Sequence, residues 1–195
     1  IITHAIQFMV ILGVGAFSII YFIIKNQQLK KHHVESDSEW QDFSSSDDLA
    51  KQVTKWNIFN EKVVFTNGCF DILHMGHIDY LCKAADLGDR LIIAVNTDAS
   101  VSKLKGPSRP VIHEDTRLIK LAALAFVDAV ILFDEETPLE LITKVKPQVL
   151  AKGGDYTVET IVGADEVLKR NGLVEVIPFL AGHSSTAIID RIKEA

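Results

Sequence analysis

Two histidines of the sequence, His74 and His77, lie three residues apart with Gly76 between them. They follow an apolar run typical of a strand and precede an amphipathic stretch typical of a helix. Side chains at positions i and i+3 of a helix share a face, so both imidazoles can point towards one ligand. Gly76 leaves room beside the backbone, and a helix N-terminus offers free N–H groups and a positive dipole end. The motif predicts a site for a polyphosphate.

Other interpretations of the two histidines stay open at this point. The imidazoles can instead cap the helix or pack against it, which is the commoner role of an isolated pair. A zinc site is a weaker interpretation, because no third ligand of suitable spacing follows. The two cysteines, Cys69 and Cys82, form neither a disulfide framework nor a C-x-x-C pair, and reduced cysteines are typical of a cytosolic protein.

Positively charged residues follow the second apolar run, in a chain whose formal net charge is -6. Lys103, Lys105 and Arg109 lie close to a glycine and two prolines, which predicts a loop. The three cations can bind phosphates as part of a lid that closes over a ligand, or they can form a solvated basic loop. Arg117 is predicted at the start of the next helix. A cation is unfavourable for the helix dipole there, which favours a contact with a ligand.

Polar residues and glycines also follow other apolar runs, with Asn96 and Asp98 after the second run. After the fourth run, two glycines permit close approach of the backbone, and Lys152 and Asp155 can contact a phosphate and a sugar or base. An ordinary turn would also explain these glycines. The last helix is predicted to begin at three hydroxyl residues, which can cap it and bind a phosphate at the same time. The two stretches are KGGDY (152–156) and GHSST (182–186).

Short β-branched apolar runs alternate with amphipathic stretches from residue 62 onwards. This alternation predicts a Rossmann-like α/β fold, in which a parallel sheet carries helices on both faces. Ligands of such sheets bind beyond the carboxyl ends of the strands, where the motifs above fall. The predicted strands are 62–67, 90–96, 128–133, 147–152 and 174–179, and the predicted helices are 47–57, the stretch after His74, 116–126, 139–145, 158–171 and 185–195.

The N-terminal part of the chain differs in character from the rest. Residues 5–24 carry no charge, and about 20 helical residues span about 30 Å, the thickness of a bilayer core. Lysines follow the run, so its C-terminal side is expected to face the cytoplasm. We predict a transmembrane anchor at 1–25, a polar linker at 26–46 and a cytoplasmic catalytic domain at 47–195, tethered to a bacterial inner membrane. A signal peptide would carry positive charge before the run, and a buried helix or a gene-model artefact is the other alternative.

The composition argues against one class of partner. A nucleic-acid-binding protein needs a basic surface for the phosphate backbone, whereas this chain is acidic. Hydrophobic residues make up 48% of the chain, which is enough to form a substantial core. A small phosphorylated ligand, bound by a few local cations, fits this balance better than nucleic acid does.

Four stretches of the sequence resemble the bacterial adenylyltransferases of ADP-heptose synthesis, members of the cytidylyltransferase-like superfamily. The resemblance covers about residues 62–192 and implies a reaction of ATP with D-glycero-β-D-manno-heptose 1-phosphate. The products would be pyrophosphate and ADP-heptose, a precursor of the lipopolysaccharide core. The resemblance also implies Mg²⁺ bound with the triphosphate. By analogy with the wider superfamily, it implies a homodimer. The stretches are TNGCFDILHMGH (66–77), LKGPSRP (104–110), KGGDY (152–156) and GHSSTAII (182–189).

The same resemblance implies roles for individual residues. His74, His77 and Lys105 would be catalytic, and Lys103 would help to neutralise the charge that develops during transfer. Asp71 would order its loop. The other nucleotide- and phosphate-binding residues would be Thr66, Asn67, Gly68, Phe70, Gly76, Asn96, Asp98, Arg109, Arg117, Lys152, Gly153, Asp155, Ser184, Ser185 and Thr186.

Some features depart from the resemblance and leave two alternatives. Cytidylyltransferases usually carry an arginine shortly before the last Ser/Thr motif, and PFLAGHSST (178–186) has none, which weakens that interpretation. The apolar N-terminal segment is not part of the usual domain. The kinase half fused to some members is not in this sequence, so a separate heptose kinase is expected. The alternatives are a cytidylyltransferase acting on glycerol 3-phosphate or a related alcohol phosphate, and an inactive membrane-anchored nucleotide-binding module.

Overall fold

The computed structural model describes residues 41–42, 45–154 and 156–194. The predicted transmembrane segment, most of the predicted linker and Asp155 lie outside this part of the chain. Within the described ranges, no helix is long and apolar enough to cross a membrane. The described residues form one compact unit.

Strands and helices alternate along the described chain. The strands are β1 (Gln41–Asp42), β2 (Val63–Gly68), β3 (Arg90–Asn96), β4 (Ala129–Phe133), β5 (Val149–Gly153) and β6 (Leu173–Ile177). The helices are α1 (Ser46–Ile58), α2 (Met75–Ala85), α3 (Asp98–Lys105), α4 (Glu114–Ala122), α5 (Leu139–Val145), α6 (Ala164–Leu168) and α7 (Ser185–Lys193), with a 3₁₀ turn at Val158–Thr160.

The strands form one parallel sheet in the order β1-β4-β3-β2-β5-β6. Strand β2 pairs with β3 on one side and with β5 on the other. The chain therefore adds β3 and β4 on one side of β2 and then β5 and β6 on the other side. The topological switch point lies between β2 and β5, and the crevice outside their carboxyl ends is the expected ligand site of such a sheet. The predicted parallel α/β sheet is confirmed, and β1 is an additional short strand.

Alternate residues of the central strands pack on opposite faces of the sheet. In β2, Val63 and Phe65 belong to the hydrophobic core on one face and Val64 to the core on the other. Ile92 and Ile93 divide in the same way in β3. Helices α1 and α5 cover the first face, and α2 and α4 cover the second. Burial on both faces explains why the strands are continuous apolar runs.

The segment after β3 is a helix and not the predicted loop. It forms α3, whose N-cap is Thr97, with a hydroxyl that accepts a hydrogen bond from the Ser100 N–H at 3.2 Å. Gly106, with φ of +93°, ends this helix, because a left-handed backbone costs glycine little. Lys103 and Lys105 therefore lie on a helix, and the irregular segment is limited to residues 106–113.

The start of α4 and the N-terminal limit of the sheet also differ from the prediction. Helix α4 begins at Glu114, so Arg117 is its fourth residue and not its first. Residues 41–42 lie within the predicted linker, yet they pair in parallel with residues 129–130 of β4. The sheet thus includes residues on the N-terminal side of the predicted domain boundary.

The predicted helix over 158–171 is divided into the 3₁₀ turn and α6. Gly163 separates them with φ of +87°. A Cβ at this position would lie 2.6 Å from Cδ1 of Ile142, so the close approach to α5 also requires glycine. The prediction was wrong here because the helical periodicity of the sequence extends across Gly163, whose backbone is not helical.

Candidate active site

The histidine pair lies where β2 leads into α2. His74 is the N-cap residue of α2, and its extended backbone has φ of -142° and ψ of 173°. The carbonyl of His74 accepts hydrogen bonds from the N–H groups of His77 and Ile78, at 2.9 and 3.2 Å. The His74 imidazole makes no capping hydrogen bond. It stacks instead on the His77 ring, with 3.9 Å between the centroids and 23° between the planes.

Burial favours the uncharged form of both imidazoles. Burial and, after it, the charges of His74 and Lys105 together lower the pKa of His77 to about 4, against a hydrogen bond to the Ile72 backbone that raises it. Burial, followed by the charge of His183, also lowers the pKa of His74. The Nδ1 atoms of both rings are buried without a hydrogen-bond partner. A neutral imidazole keeps one N–H donor, so near neutral pH each ring has at most one N–H to offer to a phosphate oxygen.

An aromatic ring and two glycines shape the space around the pair. The Phe70 ring meets the His77 ring edge-on, with 5.4 Å between the centroids. Phe70 has φ of +46°, and a Cβ on Gly68 would lie 3.0 Å from its ring. A Cβ on Gly76 would lie 3.1 Å from the His74 ring. These residues therefore support the imidazoles by packing, and their contacts with a nucleotide stay predictions.

Two lysines end α3 beside the histidines. Lys103 and Lys105 lie in its last turn, where a cation is favourable for the helix dipole, and both are exposed. The charge of Lys105 is close enough to His77 to lower the pKa of that imidazole. The structure thus brings together the three residues predicted to be catalytic, and their roles stay predictions.

Asp71 and Arg109 pair with each other. The buried Asp71 carboxylate accepts hydrogen bonds from Nε of Arg109 at 2.6 Å and from the N–H groups of Val111 and Ile112 at 2.8 Å each. Burial acts to raise the pKa of Asp71, but these backbone N–H groups and the guanidinium outweigh it and lower the pKa. Asp71 thus holds the segment after α3, and the ordering of its own loop stays a prediction. Arg109 has a protein partner in this structure, and its phosphate contact also stays a prediction.

Arg117 is fully buried and has protein partners for its guanidinium. It donates to the Cys69 carbonyl at 2.6 Å, to Oδ1 of Asp98 at 2.8 Å and to the Ile112 carbonyl at 3.0 Å. Arg117 and Asp98 were both predicted to contact the ligand. The Arg117 side chain is 0% exposed and holds the loop after β2, which argues against a direct phosphate contact, whereas the Asp98 side chain is 28% exposed and its ligand contact stays a prediction.

Thr66 and Asn96 have buried side chains with protein partners. The Thr66 hydroxyl forms a short hydrogen bond with the Tyr80 hydroxyl, which also donates to the Ala151 carbonyl at 3.1 Å. Burial raises the pKa of Tyr80 to about 12. The Asn96 amide donates to Oγ of Ser100 at 3.0 Å. These contacts join β2 and β3 to neighbouring elements, and the nucleotide contacts of the two side chains stay predictions.

Lys152 lies at the carboxyl end of β5, across the switch point from β2. Its ammonium donates to Oδ1 of Asn67 at 3.1 Å and lies 5.6 Å from the centroid of the Tyr156 ring. Burial lowers the pKa of Lys152. A Cβ on Gly153 would lie 2.9 Å from the Phe179 ring, so the absence of a side chain at Gly153 allows that ring to pack against the end of β5. The structure brings Asn67 and Lys152 together, as the predicted site requires.

The start of α7 reaches the same edge of the sheet. Ser184 is its N-cap residue and accepts a hydrogen bond from the Ala187 N–H at 3.0 Å. The Ser185 hydroxyl donates to the Ile72 carbonyl at 3.2 Å, in the loop that precedes the histidine pair. Thr186 is exposed. Capping is thus the observed role of Ser184, and phosphate contacts of the three hydroxyls stay predictions.

One further residue of this edge was not among the predicted site residues. The ring of His183 lies 6.5 Å from the His74 ring, with 21° between the planes. Its position in the stretch GHSST (182–186), next to hydroxyls expected near phosphate, was the signal that could have identified it.

The sheet order and the grouping of imidazoles and lysines at its carboxyl edge define a Rossmann-like α/β domain with a polar site at the switch point. The chain belongs to the cytidylyltransferase-like family, whose sequence model matches residues 65–191. Together with the relatives below, this membership identifies the chain as a nucleotidyltransferase.

Several curated relatives carry the name "Bifunctional protein HldE". The protein from Magnetococcus marinus is 53% identical over 142 residues, which cover 73% of this chain and 29% of the relative. The protein from Trichlorobacter lovleyi is 51% identical over 162 residues, which cover 83% of this chain and 32% of the relative. The chain thus spans about a third of the length of these relatives.

A solved structure supports the same fold. The lipopolysaccharide core biosynthesis protein from Thermoplasma volcanium GSS1 is 31% identical to this chain and superposes with a TM-score of 0.50. The match covers 62% of this chain and 97% of that protein.

Proposed function

We propose that the chain is an adenylyltransferase that joins ATP and D-glycero-β-D-manno-heptose 1-phosphate to give ADP-heptose and pyrophosphate. The observation that carries the proposal is the stacked pair of His74 and His77, 3.9 Å apart, beside Lys105. The motifs that resemble the bacterial adenylyltransferases of ADP-heptose synthesis favour this substrate pair. The similarity to the proteins named HldE supports the same choice.

The proposed reaction is one in-line displacement at the α-phosphorus of ATP. An oxygen of the sugar phosphate forms the new P–O bond while the bond to the bridging oxygen of the β-phosphate breaks, and pyrophosphate leaves with the electron pair. Catalysis then consists of positioning and charge stabilisation, and no covalent intermediate is needed. His74 and His77 would donate N–H groups to the triphosphate, and the ammonium of Lys105 would stabilise the charge that develops.

Magnesium is proposed to bind with the triphosphate. Mg²⁺ commonly binds through substrate phosphates and one or two carboxylates. The carboxylates of Asp71 and Asp98, two of the predicted site residues, are paired with Arg109 and Arg117. The described residues contain no group of three potential metal ligands of the His, Cys, Asp or Glu type. On this proposal the phosphate oxygens of the substrate would supply most of the ligands of the ion.

Pyrophosphate release by the full 195-residue chain tests the proposal. ATP with the heptose 1-phosphate would be compared with CTP and glycerol 3-phosphate, each with Mg²⁺. We expect turnover with the first pair and its loss in His77→Ala. Turnover with CTP alone would overturn the choice of substrates, and the family description gives this second candidate some weight. Nucleotide binding with no turnover for either pair would favour an inactive module.

We also propose that the apolar run over residues 5–24 anchors the chain in the inner membrane, with the catalytic domain in the cytoplasm. The absence of charge in the run and the lysines after it support this. Resistance of the expressed chain to alkaline extraction from membranes is the expected result, and release by alkali would contradict it. A homodimer is proposed by family analogy alone, and light scattering would test it.

A further inference from the structure

His183 belongs to the conspicuous stretch GHSST (182–186), yet the proposed reaction assigns it no role. It follows Gly182, whose φ is +80°, in the connection between β6 and α7. Its side chain is exposed, and its ring is within 21° of parallel to the ring of His74. A third imidazole thus lies beside the stacked pair.

The spacing of the rings leaves room for a ligand. His74 and His77 stack directly at 3.9 Å, whereas the centroids of His74 and His183 are 6.5 Å apart. The N–H groups of an imidazole lie in the plane of its ring, and each donates to an oxygen about 2.9 Å away. Two nearly parallel rings at this centroid distance can therefore donate from their edges to different oxygens of one phosphate group.

Two contacts position His183, and neither depends on its ring. A Cβ on Gly76 would lie 3.2 Å from the Cβ of His183, so the glycine allows this connection to approach the first turn of α2. The hydrogen bond of 3.2 Å from the Ser185 hydroxyl to the Ile72 carbonyl joins the start of α7 to the loop before α2. Since the backbone is held in this way and the ring is exposed, removal of the ring should leave the fold intact.

We propose that His183 donates an imidazole N–H to the outer phosphates of the nucleoside triphosphate and to the pyrophosphate that leaves. The inference rests on the proposed function, because it names the part of that substrate which the residue binds. The outer phosphates carry most of the negative charge of a triphosphate. His183 lies two residues before the first residue of α7, where free N–H groups and the positive end of the dipole favour the same anion.

The test measures binding to the full chain by calorimetry, with Mg²⁺ and three probes: ATP, AMP and inorganic pyrophosphate. In His183→Ala we expect the affinity for ATP and pyrophosphate to fall about tenfold or more, which is the usual loss of affinity when one charge-assisted hydrogen bond is removed. The affinity for AMP should stay unchanged. His183→Gln keeps an N–H donor and should recover part of the loss. Lys193→Gln is the matched control, because it removes a cation from the far end of α7 and should change none of the three affinities.

Two results would overturn the inference. One is an unchanged affinity of His183→Ala for pyrophosphate, and the other is an equal loss for ATP and AMP, which would indicate a general disturbance of the nucleotide site. An unfolding midpoint equal to that of the unaltered chain verifies that the variant is folded. If the chain binds CTP in place of ATP, the proposed adenylyltransferase fails, whereas the same comparison with CTP and CMP still tests His183.

Discussion

Two neighbouring groups of side chains at the carboxyl edge of the sheet differ in how their polar atoms are paired. The first is the arginine network, which consists of Asp71, Asp98, Arg109 and Arg117. Each of its arginines is paired with a carboxylate, and Asp71 also accepts two backbone hydrogen bonds. Its arginine side chains are 14% and 0% exposed. Structural rigidity is the expected result of such complete pairing.

The second group is the histidine site, which consists of His74, His77 and Lys105. The Nδ1 atoms of both imidazoles are buried without partners, and the lysine is exposed at the end of its helix. Buried polar atoms without partners are uncommon in folded proteins, and those that do occur are often found in catalytic sites. The two groups therefore differ in whether their charged and polar atoms already have protein partners, and a cation with a carboxylate partner is less available to a ligand than one without.

The largest effect on stability is expected from the arginine network. Arg117→Met would leave the Asp98 carboxylate and the Cys69 carbonyl without their donor and should lower the free energy of unfolding by about 3–5 kcal/mol. Chemical denaturation measures this change. Arg170→Met is the control, because Arg170 pairs with Glu166 at 3.8 Å on the surface and should have a much smaller effect. Equal effects of the two substitutions would contradict the structural role of the network.

The histidine site should show the opposite behaviour. His77→Ala is expected to lower turnover by about 10²–10³, the usual cost of losing one preorganised donor. Its free energy of unfolding should change by less than about 1 kcal/mol, because removal of an unpartnered buried polar atom offsets the lost packing. Steady-state rates and denaturation curves of the same variant give both values. A destabilisation as large as that of Arg117→Met would show that the histidines serve the fold.

The pH dependence of stability separates the two groups further. The pKa of His77 is about 4 in the folded chain against an ordinary value of 6.5. Between these values the unfolded chain binds more protons, so stability present above pH 6.5 is lost as the pH falls towards 4. We expect a loss of roughly 2 kcal/mol, less than the full pKa difference implies, because the ring is partly exposed. Denaturation at pH 7 and at pH 4 should show a smaller loss in His77→Ala, and an identical loss would refute this assignment.

The smallest effect is expected for the lysines. Lys105→Gln should reduce turnover about tenfold, because Lys105 is the cation whose charge reaches His77. It should also raise the pKa of His77, which titration of the imidazole by NMR would detect. Lys103→Gln removes the same charge from the same helical turn and should have the weaker effect. The reverse order of the two lysines would be incompatible with the proposed geometry.

The sequence was sufficient to predict five of the six described strands of the sheet. Strands buried on both faces require continuous apolar residues, so β2, β3, β4, β5 and β6 were recognisable within two residues at most of their ends. A parallel sheet places the carboxyl ends of its strands at one edge, which brings the histidine motif and Lys152 together without knowledge of any contact.

The partners of the cations could not be predicted in this way. Arg109 bonds to Asp71 across 38 positions and Arg117 bonds to Asp98 across 19 positions, and no local pattern marks such pairs. The sequence therefore offered the same interpretation, a phosphate contact, for every cation near the strand ends. His183 was missed for a related reason, because its place beside the histidines depends on a close approach to Gly76.

The last helix has a consequence for the synthesis of the protein. None of the described side chains of α7 is buried, yet Ser185 at its start bonds to Ile72 across 113 positions of the chain. A ribosome that adds about 5–20 residues per second needs on the order of ten seconds to pass from one to the other. The hydrophobic cores use no residue after Ile177, so the domain can fold during translation before α7 exists. On the proposed function, a polyphosphate would therefore be bound only after α7 is made, because the start of α7 contacts the loop before the histidines.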